Sequence, residues 1–244
     1  IVGEETVKAG VTDVINLVGT QTNINLGLVN KMKFDLKLEK SVSKITVQNK
    51  KGVKEYTFEN TTLPKIEIEA KQLAGSMIVI EYIIKVTNEG NVPGYATNII
   101  DYKPSDLEFN SSINTNWYIG NDGNIYTTQL ENTIINPGET KEIKLILTKN
   151  MTENNTGITN NVAEIKQEYT EQGLTDKDST VGNNAQGEDD RGAIDVIILV
   201  KTGGTALYIS LAILAFVIFA IVSLVPATSI FIGLSLYILF IPFI

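Results

Sequence analysis

Along FDLKLEK, residues 34–40, apolar and charged side chains alternate, so in an extended chain Phe34, Leu36 and Leu38 share one side and Asp35, Lys37 and Glu39 the other. Lys40 falls on the apolar side, where an amine needs a reason. The same period of two, or a density of β-branched residues, recurs in KITVQN (44–49), EYTFEN (55–60), KIEIEA (65–70), MIVIEYIIKVTN (77–88), YATNIIDYKP (95–104), KEIKLILTKN (141–150), NNVAEIKQEY (160–169) and AIDVIILV (193–200). Each run is bounded by Gly, Asn, Pro or Asp, which are turn formers, and no helix is predicted between residues 34 and 200. NEGNVPG (88–94) and NPGET (136–140) read as tight connectors, and a succession of more than six strands predicts an all-β sandwich.

The pattern changes after Lys201, the last charged residue. ALYISLAILAFVIFAIVSLV, residues 206–225, has the length and polarity of a helix crossing roughly 30 Å of hydrocarbon and predicts a transmembrane span, with residues 201–205 as a juxtamembrane linker. PATS interrupts the run, and residues 226–244 form an apolar segment, short for a second span. No Lys or Arg follows the span to orient it, and the acidic N-terminal part is expected outside the cell membrane. Residues 1–33 lack periodicity and begin with Ile1, which predicts a linker or the end of a preceding domain, with upstream domains as partners in the same chain.

Composition narrows the chemistry. Of 244 residues, 20 are Lys or Arg and 28 are Asp or Glu, giving a net charge of −8 without a basic run, so no nucleic-acid partner is expected. The chain has no His and no Cys, which removes disulfides, thiolate nucleophiles, imidazole bases and the common zinc ligands. No cofactor is expected. Asp176, Asp178, Glu188, Asp189 and Asp190, in the Gly-rich segment 176–192, are the candidate calcium ligands, although their spacing is not that of a helix-loop-helix calcium loop and a solvated loop is the simpler reading. A paired-carboxylate hydrolase using Asp101 and Asp106 finds no support in the pattern, and the expectation is that the protein is not an enzyme.

FDLKLEK, EYIIKVTNEGNVPGYATNIIDYKPSDLEF, INPGETKEIKLILT and NNVAEI, in that order, resemble the repeated immunoglobulin-like modules of Gram-positive surface proteins and pilins, over about residues 34–200. Their usual marks are a Y-x-I-x-V-x-N-x-G strand, a D-x-x-P strand end, a PGE turn and a final N-x-A strand. The resemblance implies an immunoglobulin-like sandwich, and in several such modules a first-strand lysine forms an amide bond to an asparagine on the last strand, assisted by an acidic residue on a neighbouring strand. Carried onto this chain, that implies a Lys40–Asn161 isopeptide bond with Asp101 as the assisting acid and Glu81 as the alternative. The residue chemistry is compatible: burial among Phe34, Leu36 and Leu38 favours the neutral, nucleophilic amine, and small Ala163 puts Asn161 rather than Asn160 on the inner face. The sortase signal of many such proteins is absent, since VKTGGTALYIS (200–210) keeps only a TG dipeptide and no basic tail follows the span.

The expected function is therefore a membrane-anchored structural stalk or adhesin module at the cell surface. The alternative is an adhesin whose sandwich itself binds a host protein or glycan, with Trp117, Tyr118 and Tyr126 as candidate contacts; a hairpin with Trp117 packed on the core is the competing reading of that stretch.

Overall fold

The computed structural model describes residues 31–201 and 213–215 of the chain. Among the described residues 31–201 the elements follow one another as β1 (Leu36–Asn49), β2 (Gly52–Thr57), β3 (Lys65–Glu69), a helical turn α1 (Ala70–Leu73), β4 (Met77–Asn88), β5 (Tyr95–Tyr102), β6 (Glu108–Phe109), β7 (Tyr118–Ile119), β8 (Ile125–Thr127), β9 (Thr140–Asn150), β10 (Gly157–Tyr169) and β11 (Arg191–Lys201). One sheet has the order β2-β1-β4-β9-β6 and the other β3-β11-β10-β5-β8-β7. Every pairing is antiparallel except β3 with β11. This is the all-β sandwich of two sheets expected from the strand pattern.

Alternation decides which side of each strand is buried. In β4, Ile78, Ile80, Tyr82, Ile84 and Val86 are fully buried and the residues between them are not. They face Ile99, Ala163, Ile165, Val196 and Ile198 of the second sheet in one continuous core. The helical turn α1 is a departure from the helix-free expectation for residues 34–200, and it buries only Leu73.

FDLKLEK and KITVQN belong to one 14-residue strand rather than two. Val42 pairs with Tyr82 and Lys44 with Glu81, so Ser43 is an extra residue, and its hydroxyl donates to Glu81 Oε1 at 2.6 Å. Before this bulge the even-numbered Leu36, Leu38, Lys40 and Val42 point inward; after it the odd-numbered Ile45 and Val47 do. The bulge lets one strand keep Lys40 inside and still bury its second half.

The connector after β4 is organised by Asn88. Its buried side-chain amide donates to the carbonyls of Val92 and Ile135, each at 2.8 Å, and its Oδ1 accepts from the Gly90 amide at 2.9 Å. Asn88→Ala orphans the Val92 carbonyl and the Gly90 amide and leaves the Ile135 carbonyl only its bond from the Gly94 amide; we expect a loss of about 2–3 kcal/mol in urea unfolding, whereas an unchanged midpoint contradicts this role. NPGET closes the other end: Gly138 takes φ +77, and the Glu139 carboxylate accepts from the Asn136 amide at 2.9 Å.

Most of the predicted span at residues 206–225, and all of residues 226–244, lie outside the described residues, as do residues 1–30. Among the described residues no helix is long and apolar enough to cross a membrane.

Candidate functional site

Register places the polar group at the centre of the sandwich. On β10, Asn161 and Ala163 are two residues apart and face inward, each 0% exposed. Asp101 of β5 pairs with Ala163, so it points to the same side and lies one diagonal step from Asn161. On the opposite sheet Lys40 pairs with Ile84 and Val42 with Tyr82, which makes Lys40 and Tyr82 diagonal neighbours on the inner face. Two strands of each sheet thus bring four polar side chains to one place in an otherwise apolar core.

Nothing of the Lys40 or Asp101 side chains reaches solvent, and the Lys40 amine hydrogen-bonds Asp101 Oδ2. The same amine lies 4.8 Å from the centroid of the Tyr82 ring. Burial pushes the Lys40 amine down from its ordinary value and the Asp101 carboxyl up, and although each partner opposes the shift of the other, burial is the larger effect. In so dry a site the pair is stabilised as a neutral amine beside a carboxylic acid relative to the two ions. Burial likewise holds the Tyr82 hydroxyl far above its usual range, so it keeps its proton.

Asn161 borders both acids: its carboxamide is close enough to offset part of the upward shifts of Asp101 and Tyr82. Yet neither Asn161 Oδ1 nor Nδ2 makes a hydrogen bond, and Asp101 Oδ1 and the Tyr82 hydroxyl are also without partners. A buried amide left in this state costs on the order of 1–3 kcal/mol per group. A lysine amine, a carboxylic acid and an unsatisfied carboxamide in one sealed space are the ingredients of amide exchange.

Lys40, Asp101 and Asn161 therefore converge in the core, with one difference of topology from the sequence reading. Asn161 is on β10, and β11 follows it and forms the next strand of that sheet, so Asn161 is not on the last strand. Glu81, the alternative acid, faces the other side of its strand, where it accepts from Ser43 and pairs with Lys144 at 3.1 Å; it cannot assist a reaction in the core. Tyr82 is a member that the sequence reading does not single out. Its hydroxyl beside a proposed reacting carboxamide was not visible without the facing sheet.

The other candidates separate. Asp106 is engaged by Lys149 at 2.6 Å and Thr159 at 2.7 Å, away from any carboxylate partnership with Asp101. Trp117 is 4% exposed and its indole donates to the Lys144 carbonyl at 2.8 Å, so it is a core residue and presents no binding surface. Tyr118 is half exposed and stacks on Tyr126 at 5.8 Å across the β7–β8 hairpin.

Of the five acidic loop residues, Asp176, Asp178 and Asp189 come together, and Asp35 joins them from the start of the domain. Glu188 instead accepts from the Thr180 amide and Asn183, and the fully buried Asp190 is not a member of that group. Burial, followed by Glu164, pushes the Asp190 carboxyl up to about 7. Glu164 is occupied by the Tyr102 hydroxyl and the Asn184 amide, which pins the loop back onto β10.

No protein-family model matches the chain, and no curated protein matches it. Among solved structures it is similar to the CARDB domain of a Pyrococcus furiosus protein, known from solution NMR and from a crystal structure in complex with di-metal ions. The two matches have 13% and 12% sequence identity and a TM-score of 0.32, and they span 70% and 71% of this chain and 99% and 100% of that domain.

Proposed function

We propose that the domain is a structural module of a cell-surface stalk, locked by an intramolecular amide bond between Lys40 and Asn161. The observation that supports it is the sealed meeting of Lys40, Asp101 and an Asn161 carboxamide without hydrogen bonds. Proton transfer within the Lys40–Asp101 pair gives the neutral amine and the protonated acid, the forms that burial favours. Lys40 Nζ then adds to Asn161 Cγ while protonated Asp101 and the Tyr82 hydroxyl donate to the oxygen that gains charge. Asp101 carries a proton from the attacking nitrogen to Asn161 Nδ2, the C–Nδ2 bond breaks, and ammonia leaves. Amine and primary amide become secondary amide and ammonia, and Asp101 is returned protonated. The reaction occurs once per chain, within the fold, and turns over no external substrate.

Such a bond joins β1 of one sheet to β10 of the other across the core. In a chain without cysteine it is a staple that reduction does not open. Anchorage through residues 206–225, with the sandwich outside the cell, belongs to the same proposal.

The test is the intact mass of the full chain in detergent beside Lys40→Ala, Asp101→Asn and Asn161→Ala. We expect the wild type to lie about 17 Da below its sequence mass, one ammonia, and each variant to match its own. A peptide digest should contain Lys40 and Asn161 in one cross-linked fragment. A wild type at its full sequence mass would rule the bond out.

A further inference from the structure

The acidic group at the base of the sandwich is separate from the buried core. Asp35 immediately precedes β1, while Asp176, Asp178 and Asp189 come from the segment between β10 and β11, and one oxygen of each lies within 4.8 Å of the others. Lys33 pairs with Asp35 Oδ2 and Lys177 with Asp178 Oδ2. Four carboxylates against two ammonium groups leave two negative charges without a counterpart.

A second observation concerns Asp35 alone. It is 2% exposed, and its Oδ1 is buried without a hydrogen-bond donor. A desolvated carboxylate oxygen is costly unless a donor or a cation faces it. Its other oxygen, Oδ2, is taken by Lys33, and the groups gathered around the site are the carboxylates of Asp176, Asp178 and Asp189, so the partner that Oδ1 lacks is a cation.

The other members are held ready. Asp176 Oδ2 accepts from the Leu36 amide at 2.8 Å, and its Oδ1 accepts from the amides of Asp178 and Ser179 at 3.1 and 3.0 Å. Asp189 Oδ1 accepts from the Ser179 hydroxyl at 2.8 Å, which leaves Oδ2 free. Asp178 is half exposed, so water can complete the coordination shell. Burial, with neighbouring carboxylates adding to it, raises both Asp176 and Asp189, as expected for like charges held together.

We propose that Asp35, Asp176, Asp178 and Asp189 bind one calcium ion. The hard, all-oxygen, irregular and partly open donor set fits calcium, whereas magnesium demands a tighter octahedron and dehydrates reluctantly. The ion would fasten the long β10–β11 segment to the start of β1, where the Leu36 and Leu38 amides already bond Asp176 Oδ2 and the Asp189 carbonyl. It stands independently of the Lys40–Asn161 bond.

The test is calorimetric titration of the chelator-treated full chain with calcium chloride and, separately, magnesium chloride, repeated on Asp178→Asn and Asp189→Asn. We expect one calcium per chain, with a dissociation constant of roughly 10⁻⁵ to 10⁻³ M and at least tenfold weaker magnesium binding. Each variant should lose at least about tenfold in calcium affinity while its metal-free thermal midpoint stays level or rises, because one like charge has been removed. A purely structural role predicts the opposite, a fall in the metal-free midpoint. Absence of calcium binding, calcium binding unchanged in both variants, or equal affinity for magnesium each overturns the assignment.

Discussion

Asn161→Ala is expected to lower the unfolding free energy by about 5 kcal/mol, the chain-entropy value for a crosslink over 161 − 40 = 121 residues. For a domain of this size the thermal midpoint should fall by roughly 10–20 °C. The sign is what makes the variant informative. Without a bond, Asn161 is a buried carboxamide with both polar atoms unsatisfied, and its replacement by a small apolar residue should be neutral or stabilising apart from a modest cavity term. With a bond, the same change opens the staple and leaves the Lys40–Asp101 pair in place, so no isolated buried charge confuses the result. Lys40→Ala is less clean, because it also removes the partner of Asp101. A level or raised midpoint in Asn161→Ala would sink the crosslink as surely as a full sequence mass.

Much of this site can be read in the sequence because facing is a local property. Seven residues of strict alternation are enough to put Lys40 beside Leu36 and Leu38, and Ala163 is enough to turn Asn161 inward. The same alternation places Glu81 outward, where the structure has it bonded to Ser43 and Lys144. What local pattern does not hold is which strand lies across the core. Tyr82 becomes a neighbour of Asn161 only when β4 and β10 are laid on opposite sheets, and the sequence between them has no period that records this.

Asp35 was missed among the metal candidates for the same reason: it lies about 140 residues before Asp176 and is brought to it by the Leu36 amide. The Ser43 bulge hid in another way. FDLKLEKSVSKITV changes phase at one residue, and a change of phase looks like the end of one strand and the start of another until the partner β4 runs past both halves unbroken. Parallel pairing of β3 with β11 was equally invisible, since it depends on a connection of well over 100 residues.

Force along the chain gives the second large effect. With cysteines introduced by Lys31→Cys and Lys201→Cys as the only thiols in the molecule, a single domain can be pulled from both ends of the described sandwich. In the linked protein tension enters along β1 to Lys40, crosses the amide to Asn161 and leaves through β10 and β11, so the 120 residues between the anchors never bear load. At about 3.3–3.6 Å per extended residue, the wild type should release about 400 Å less contour length on full extension than Asn161→Ala. The shortfall counts locked residues and does not depend on how much force the noncovalent sandwich resists. Equal contour lengths would mean that the chain is free between residues 40 and 161 and that the stalk reading has lost its physical basis. A shortfall of the expected size fixes the separation of the two anchors, because moving one of them along its strand by ten residues changes the length by about 35 Å. Reducing agent should leave it unchanged, as no disulfide exists to open within the domain.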